Sequence, residues 1–221
     1  MKLTLRRRDI VLIIAFWLIG CALLSVVFYY AYLQVGPPAP PQPKFIPQAT
    51  HTLVHTDITA KSVLPRAKSK IAMWQEDAQL YAISATWEEI TLDTVGQAAP
   101  WVYRYYSPRQ KRIYFVTVNP TNGEIIGTSH GERVYNAPQP IPIEEWTIDS
   151  AEALNVWLNQ GGAAMLTATP KMYVLVQLHV RVPDAPLAWT VAGFDEVSGN
   201  YHTVFVHATT GEVIDIKSSL Y

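Results

Sequence analysis

The sequence contains an internal repeat, and this repeat limits the fold more than any other feature. The string TNGEIIG occupies residues 121–127, and TTGEVID occupies residues 209–215. These strings end two longer segments, 101–127 and 189–215, that align without a gap. A chain that repeats a pattern in this way carries copies of one structural unit. We therefore expect a duplicated domain.

Each unit has the pattern of a three-stranded antiparallel meander. A first strand begins at a tryptophan, and a second strand alternates between its two faces. A glycine, which adopts positive φ without strain, then turns the chain into a third strand. We expect the tryptophans to pack, the glycines to form turns and the glutamates to lie exposed beside them; the motif residues are Trp101, Gly123, Glu124, Trp189, Gly211 and Glu212.

A helix pattern and one further strand precede each meander. The first helix pattern runs through residues 69–87; the second begins at Asp149, a predicted N-cap, and ends at the glycine pair 161–162. Residues 88–95 and 172–182 have the composition of strands. We thus predict an α+β fold in which one helix covers one face of a curled antiparallel sheet.

Two such helix-on-sheet domains in tandem account for the body of the chain. The predicted boundaries are residues 66–135 for the first domain and 136–221 for the second.

The Trp-led strand, the Tyr-x-Val-x-Val strand and the Thr-x-Gly-Glu turn, all after an amphipathic helix, resemble the PepSY-type domain family. The second unit, at residues 187–216, is the better match. The resemblance implies a cystatin-like fold outside the cytoplasm. The whole layout is similar to the TseB-like group of cell-wall elongation regulators, which implies a membrane-anchored protein that binds a penicillin-binding protein. A family built on structural positions implies no catalytic residues.

The N-terminal region has the features of a membrane anchor. Residues 10–33 contain no charge and, as a helix, extend about 36 Å, which is enough to cross a bilayer core of about 30 Å. The preceding basic tip, residues 1–9, predicts a cytoplasmic N-terminus and extracytoplasmic C-terminal domains. A lipobox-like string ending at Cys21 leaves lipidation as an alternative anchor. Residues 34–65 are Pro-rich at their start and predict an extended stalk.

Charge and cysteine content exclude several classes of function. The net charge is −1, and residues 1–9 contribute +3, so the rest of the chain sums to −4. A mildly acidic body gives no reason to expect nucleic acid as a partner. The single cysteine, Cys21, excludes an intrachain disulfide and a cysteine-based metal site.

The histidines do not form a predicted metal site. His51 and His55 are four residues apart, but their neighbours disfavour a helix, and His202 and His207 fall on opposite faces of one strand because their separation is odd. His179 lies alone in another strand. Nucleophile motifs and a phosphate-binding glycine loop are also missing from the sequence. We expect no enzymatic activity, no metal and no cofactor.

The leading hypothesis is a non-catalytic, membrane-anchored binding or regulatory protein that acts on a protein partner at the outer face of the membrane, with a penicillin-binding protein as the candidate. One alternative is a structural accessory subunit of a respiratory or photosynthetic membrane complex. Another is an inhibitor or chaperone of an extracytoplasmic protease, as PepSY domains in propeptides imply.

One loop is a candidate contact surface for such a partner. The string YYSPRQKR, at residues 105–112, combines aromatic and basic side chains, which are favoured at protein interfaces. A solvated hairpin tip is the alternative interpretation. The candidate contact residues are Tyr105, Tyr106, Arg109, Lys111 and Arg112.

Overall fold

The described part of the chain forms one eight-stranded antiparallel sheet with short helices on one face. The computed structural model describes residues 58–97, 99–169, 172–182 and 185–219. All of them belong to one compact unit, Ile46–Leu220. The strands are β1 (Gln79–Ile90), β2 (Trp101–Ser107), β3 (Arg112–Val118), β4 (Ile125–Arg133), β5 (Met172–Val180), β6 (Leu187–Phe194), β7 (Tyr201–His207) and β8 (Val213–Ser218).

The helices precede the two groups of four strands. Helix α1 (Leu64–Trp74) precedes β1, and a 3₁₀ turn (Ile143–Glu145) begins the second half. Helix α2 (Ser150–Trp157) continues through a π-helical turn (Leu158–Gly162) into α3 (Ala163–Ala168). Each half of the chain is therefore a helix followed by four strands.

The two halves join edge to edge, in the strand order β4-β3-β2-β1-β5-β6-β7-β8. The predicted fold class, two tandem helix-on-sheet domains after a transmembrane helix, is therefore wrong in its two separate domains, because both halves share one sheet and one apolar core. The physical reason lies in the first strand of each half, which would otherwise expose a row of unpaired N–H and C=O groups. Pairing β1 with β5 satisfies both rows at once.

The predicted membrane segment precedes the shared sheet in the sequence. Within the described ranges, no helix is long and apolar enough to cross a membrane. The predicted basic tip (1–9), the transmembrane helix (10–33) and the stalk as far as residue 57 lie outside the described residues.

The last residues of the predicted stalk segment are part of the core. Ala60 and Val63 are 0% and 3% exposed, and α1 starts directly afterwards at Leu64. Pro65 lies in the first turn of α1, where its missing N–H costs nothing.

The first predicted helix is too long, because residues 79–87 lie in β1. This strand is central in the sheet, so both of its faces are covered by apolar or small side chains. Ile83 and Ala85 are buried on the helix side, and Ala82 and Ser84 are buried on the opposite side. A continuous apolar run of this kind does not distinguish a buried strand from a buried helix.

The second predicted helix begins where expected but does not end at the glycine pair. The Asp149 side chain accepts a hydrogen bond from the N–H of Ser150 at 2.7 Å. Gly161 adopts φ +119° within the π-helical turn, and the chain then continues as α3. A Cβ on Gly162 would lie 2.4 Å from the Trp157 ring, so this glycine allows close packing rather than a stop.

Candidate functional site

The two repeated tryptophans have the same structural function in both halves. Trp101 and Trp189 are 3% and 0% exposed. Their indole N–H groups donate to the carbonyl oxygens of Ile58 and Ile148, at 3.2 and 2.8 Å. Each ring therefore fixes the segment that leads into the helix of its own half.

The two repeated glycines form equivalent turns. Gly123 and Gly211 adopt φ +68° and +78°, where a side chain is strained. Their N–H groups donate to the carbonyl oxygens of Asn119 and His207, at 3.0 and 2.9 Å.

The two repeated glutamates are exposed beside these turns. The Glu124 carboxylate accepts from the side chain of Asn122 at 2.8 Å, and that of Glu212 accepts from the Thr210 hydroxyl at 3.2 Å. These hydrogen bonds stay within each turn. The motif residues thus serve the fold.

The predicted contact loop is divided by the structure into buried and exposed parts. Tyr105 and Tyr106 are only 3% and 6% exposed, because β2 continues through them into the sheet. Arg109 and Lys111 are exposed in the turn between β2 and β3, and Arg112 is half-buried. These three cations, Arg109, Lys111 and Arg112, are called the basic hairpin below.

Asp77, which the sequence pattern did not single out, holds the basic hairpin in place. Its carboxylate accepts from the Ser107 hydroxyl at 2.9 Å and from the N–H of Arg109 at 2.9 Å. Burial raises the pKa of Asp77, but hydrogen bonds from Gln75, Arg109 and Ser107 outweigh it and lower this pKa. An ionised carboxylate therefore fixes the base of the turn.

A second group of cations lies on the face of the sheet that the helices leave open. Arg104, Arg181 and Lys217 surround His179 and Phe205 on this face. The Arg181 guanidinium lies 3.9 Å from the centroid of the Phe205 ring, and the Lys217 ammonium lies 5.8 Å from it. Arg104, Arg181 and Lys217, with His179 between them, are called the cationic strip below.

Small side chains form the floor of the strip. The cross-strand register gives the order Arg104, Ala82, His179, Ala188 and His207 across β2, β1, β5, β6 and β7. Both alanines are 1% exposed and add no bulk above the sheet. The longer side chains consequently reach over them, as Arg181 does to cover Phe205.

His179 is a neutral group between cations. Burial lowers its pKa first, and the nearby charges of Arg181 and Arg104 lower it further. Its Nδ1 atom and the hydroxyl of Thr190 are buried without a hydrogen-bond partner among the described residues. The strip thus combines fixed positive charge with unused polar groups.

An open groove of about 720 Å³ begins beside Arg104 and runs along β1 under residues 91–97 and 99–100. At its start, Arg104 donates to the Ser84 hydroxyl at 2.8 Å. Glu88 and Glu89 line its other end. The groove therefore changes from basic to acidic along its length.

The remaining histidines do not assemble a metal site in the described ranges, where no group of three or more potential ligands occurs. His202 is buried on the helix side of β7, and His207 is half-buried on the open side. They lie on opposite faces of β7, as their spacing predicts. His51 and His55 lie outside the described residues.

Comparison with known proteins does not assign a family. No family model matches the chain. No curated protein matches it either. A crystal structure of a "putative lipoprotein" from Clostridium difficile 630 is similar, with a TM-score of 0.49 and 9% sequence identity, over 73% of this chain and 93% of that one. Similarity at this level carries no information about function.

Proposed function

We propose that this protein is a non-catalytic binding protein that recognises a protein partner through the basic hairpin. The observation that carries this proposal is the fixed presentation of Arg109 and Lys111, which are exposed on a turn that Asp77 anchors. Binding residues are commonly held on loops by a rigid scaffold, and arginine contributes strongly to protein interfaces. A turn ordered before binding also loses less entropy when it binds.

The geometry gives less support to a catalytic role. His179 is near two guanidinium groups, whereas a general base is normally oriented by a carboxylate or another acceptor. The exposed acidic side chains of the turns hydrogen-bond locally, as Glu124 and Glu212 do.

The cellular location and the partner belong to the same proposal. The uncharged segment 10–33 supports attachment to a membrane, with the sheet outside the cytoplasm. The resemblance to PepSY-type domains and to TseB-like regulators makes a penicillin-binding protein the first candidate partner, and control of cell-wall synthesis the first candidate process.

Site-specific photo-crosslinking in native membranes tests the proposal. A photoreactive amino acid at Gln110, which is exposed between Arg109 and Lys111, should crosslink a penicillin-binding protein. The matched control is the same amino acid at Lys68, which is exposed on α1. Charge reversal in Arg109→Glu with Arg112→Glu should remove the product at position 110.

Crosslinks from position 110 to other proteins would support one of the two alternative functions. Stoichiometric crosslinks to an electron-transfer complex would identify an accessory subunit, and crosslinks to a protease would support the inhibitor hypothesis. Products at position 68 alone would overturn the assignment of the basic hairpin as the contact surface.

A further inference from the structure

We propose that the cationic strip on the open face of the sheet binds acidic side chains of an extended segment of a protein partner. This inference shares with the proposed function the premise that the partner is a protein. It concerns a different surface, because no residue of the strip belongs to the basic hairpin.

The first argument is the local excess of positive charge in the strip, because the acidic side chains Glu88 and Glu89 lie at the far end of the groove. Arg104, Arg181 and Lys217 make no ion pair with any residue in the part of the chain that the structure describes. Asp215 pairs with Phe205 across β7 and β8, so it lies on the same face. It lowers the formal charge of the strip from +3 to +2. Guanidinium groups match the geometry of carboxylates, and among the described residues Arg104 donates one of its five N–H groups, to Ser84 at 2.8 Å.

The second argument is the pair of buried polar atoms without partners. The Thr190 hydroxyl and Nδ1 of His179 belong to adjacent positions of the β5–β6 ladder, because Gln177 pairs with Thr190 and His179 pairs with Ala188. Buried polar groups are nearly always hydrogen-bonded to protein, water or ligand. Both atoms are buried, so a carboxylate would reach them only after the side chains above them move, and the two arginines would make its first contacts.

The third argument is shape. The strip extends from β2 to β8, which is five strand spacings of about 4.8 Å, or about 24 Å in all. An extended peptide of about seven residues has this length. Ala82 and Ala188 are 1% exposed, so such a segment would contact the longer side chains of the strip that lie over the alanines.

The charge of the protein's own N-terminal segment does not fit this surface. Residues 34–57 contain one acidic residue, Asp57, and one basic residue, Lys44. The chain therefore supplies no acidic stretch there to neutralise the strip, and an acidic segment of another protein is the better complement.

A binding titration with the full-length protein in mild detergent tests the proposal. The probe is a fluorescent eight-residue peptide of alternating glutamate and serine, followed by fluorescence anisotropy. We expect saturable binding that weakens by about tenfold or more in Arg104→Gln with Arg181→Gln, since each charge-assisted hydrogen bond contributes on this scale. Lys68→Gln with Lys70→Gln removes two exposed charges from α1 and should leave the affinity unchanged.

A second variant protects the test against a folding defect. Lys217→Gln changes an exposed side chain, so it should weaken peptide binding while circular dichroism and the melting temperature stay unchanged. Retained binding in this variant together with retained binding in the double arginine variant would overturn the proposal.

Two further results would also overturn it. In the first, the peptide binds but loses affinity only in Arg109→Gln with Arg112→Gln, which assigns the acidic segment to the basic hairpin. In the second, the peptide does not bind, while bicelles containing phosphatidylglycerol do, which assigns the strip to an anionic lipid surface. Photo-crosslinking at Gln110 reports on the basic hairpin alone, so the two proposals fail separately.

Discussion

Ser84 and Gln177 occupy equivalent positions in the two halves of the chain and face each other directly across β1 and β5. Their equivalence follows from the register: Ser84 pairs with Val102, and Gln177 pairs with Thr190. Val102 and Thr190 are 88 residues apart, which is also the separation of the two repeated tryptophans. Equivalent residues that pair with each other are typical of a two-fold contact. The halves therefore meet as the subunits of a symmetric dimer do, within one chain.

The segments that begin the two helices strengthen this contact. The Thr59 hydroxyl donates to the Asp149 carboxylate at 2.5 Å, and the Lys61 N–H donates to the same carboxylate at 3.1 Å. The Ala60 N–H donates to the Ser150 hydroxyl at 3.3 Å. The cap of α2 thus binds the segment ahead of α1.

Asp149→Ala should lower the free energy of unfolding by about 1–3 kcal/mol, because it removes both a helix cap and charge-assisted hydrogen bonds between the halves. Urea unfolding followed by circular dichroism and tryptophan fluorescence gives this value. Glu152→Ala, at an exposed position in the same helix, is the control and should change stability little. Wild-type unfolding in two separate steps would contradict the shared core.

Replacement of each turn glycine by alanine should lower the stability of the protein by an amount that depends on the space around that glycine. Gly199, Gly211 and Gly123 all have positive φ, so each substitution should cost about 1–2 kcal/mol of conformational strain. A Cβ has no neighbour within 4 Å at Gly199 and lies 3.5 Å from Ile148 at Gly211, but at Gly123 it lies 2.9 Å from Val63. Thermal unfolding should therefore rank Gly123→Ala as the most destabilising, and an equal cost at all three would contradict this packing.

Asp77→Ala should loosen the basic hairpin without removing any of its cations. The carboxylate accepts from Ser107 and from the Arg109 N–H, both at 2.9 Å. Because the side chain is partly exposed, we expect a loss of only about 1 kcal/mol in stability. Hydrogen exchange at residues 107–111 should accelerate. Glu76→Ala, an exposed neighbour, is the matched control, and unchanged exchange in Asp77→Ala would show that the turn is held by other contacts.

Stability should fall as the pH decreases below the ordinary histidine pKa of about 6.5. Burial, Arg181 and Arg104 lower the pKa of His179, so the folded state binds its proton less readily than the unfolded state does. The stabilisation is thus present above the unfolded-state pKa and is lost as the pH falls through the folded-state pKa. In His179→Gln the difference in stability between pH 7.5 and 5.5 should shrink, whereas Thr190→Val should preserve it. An unchanged difference in His179→Gln would argue against this position for the imidazole.

The repeat revealed the elements of each half but not how the halves combine. The turns at Gly123 and Gly211 and the cap at Asp149 follow from local chemistry, which a sequence displays directly. The β1–β5 contact is formed by residues about 90 positions apart, and nothing local marks Ser84 as the partner of Gln177. The strand at 79–87 was missed for a related reason. Both of its faces are buried, so its sequence lacks the alternation of apolar and polar residues that indicates a strand.

The basic hairpin could be predicted from the sequence, but the cationic strip could not. Arg109 and Lys111 stand together in the sequence, so the basic hairpin was visible as a cluster. Arg104 and Arg181 become neighbours of His179 only when the two halves share a sheet. The burial of Tyr105 was also hidden, because a loop and a strand end have similar composition.

The joining of the two halves through β1 and β5 is the central claim, since the cationic strip exists only if it is correct. The most direct measurement is disulfide formation in Ser84→Cys with Gln177→Cys, made in a Cys21→Ser background. Residues directly opposite in an antiparallel pair have Cα atoms about 4.5–5.5 Å apart, which a disulfide can span. Ser84→Cys with Thr203→Cys, three strand spacings apart, is the control.

We predict an intramolecular disulfide at low protein concentration in the first pair and none in the control. Absence of the intramolecular bond, or bonds formed only between chains, would contradict the single sheet and with it the composite site.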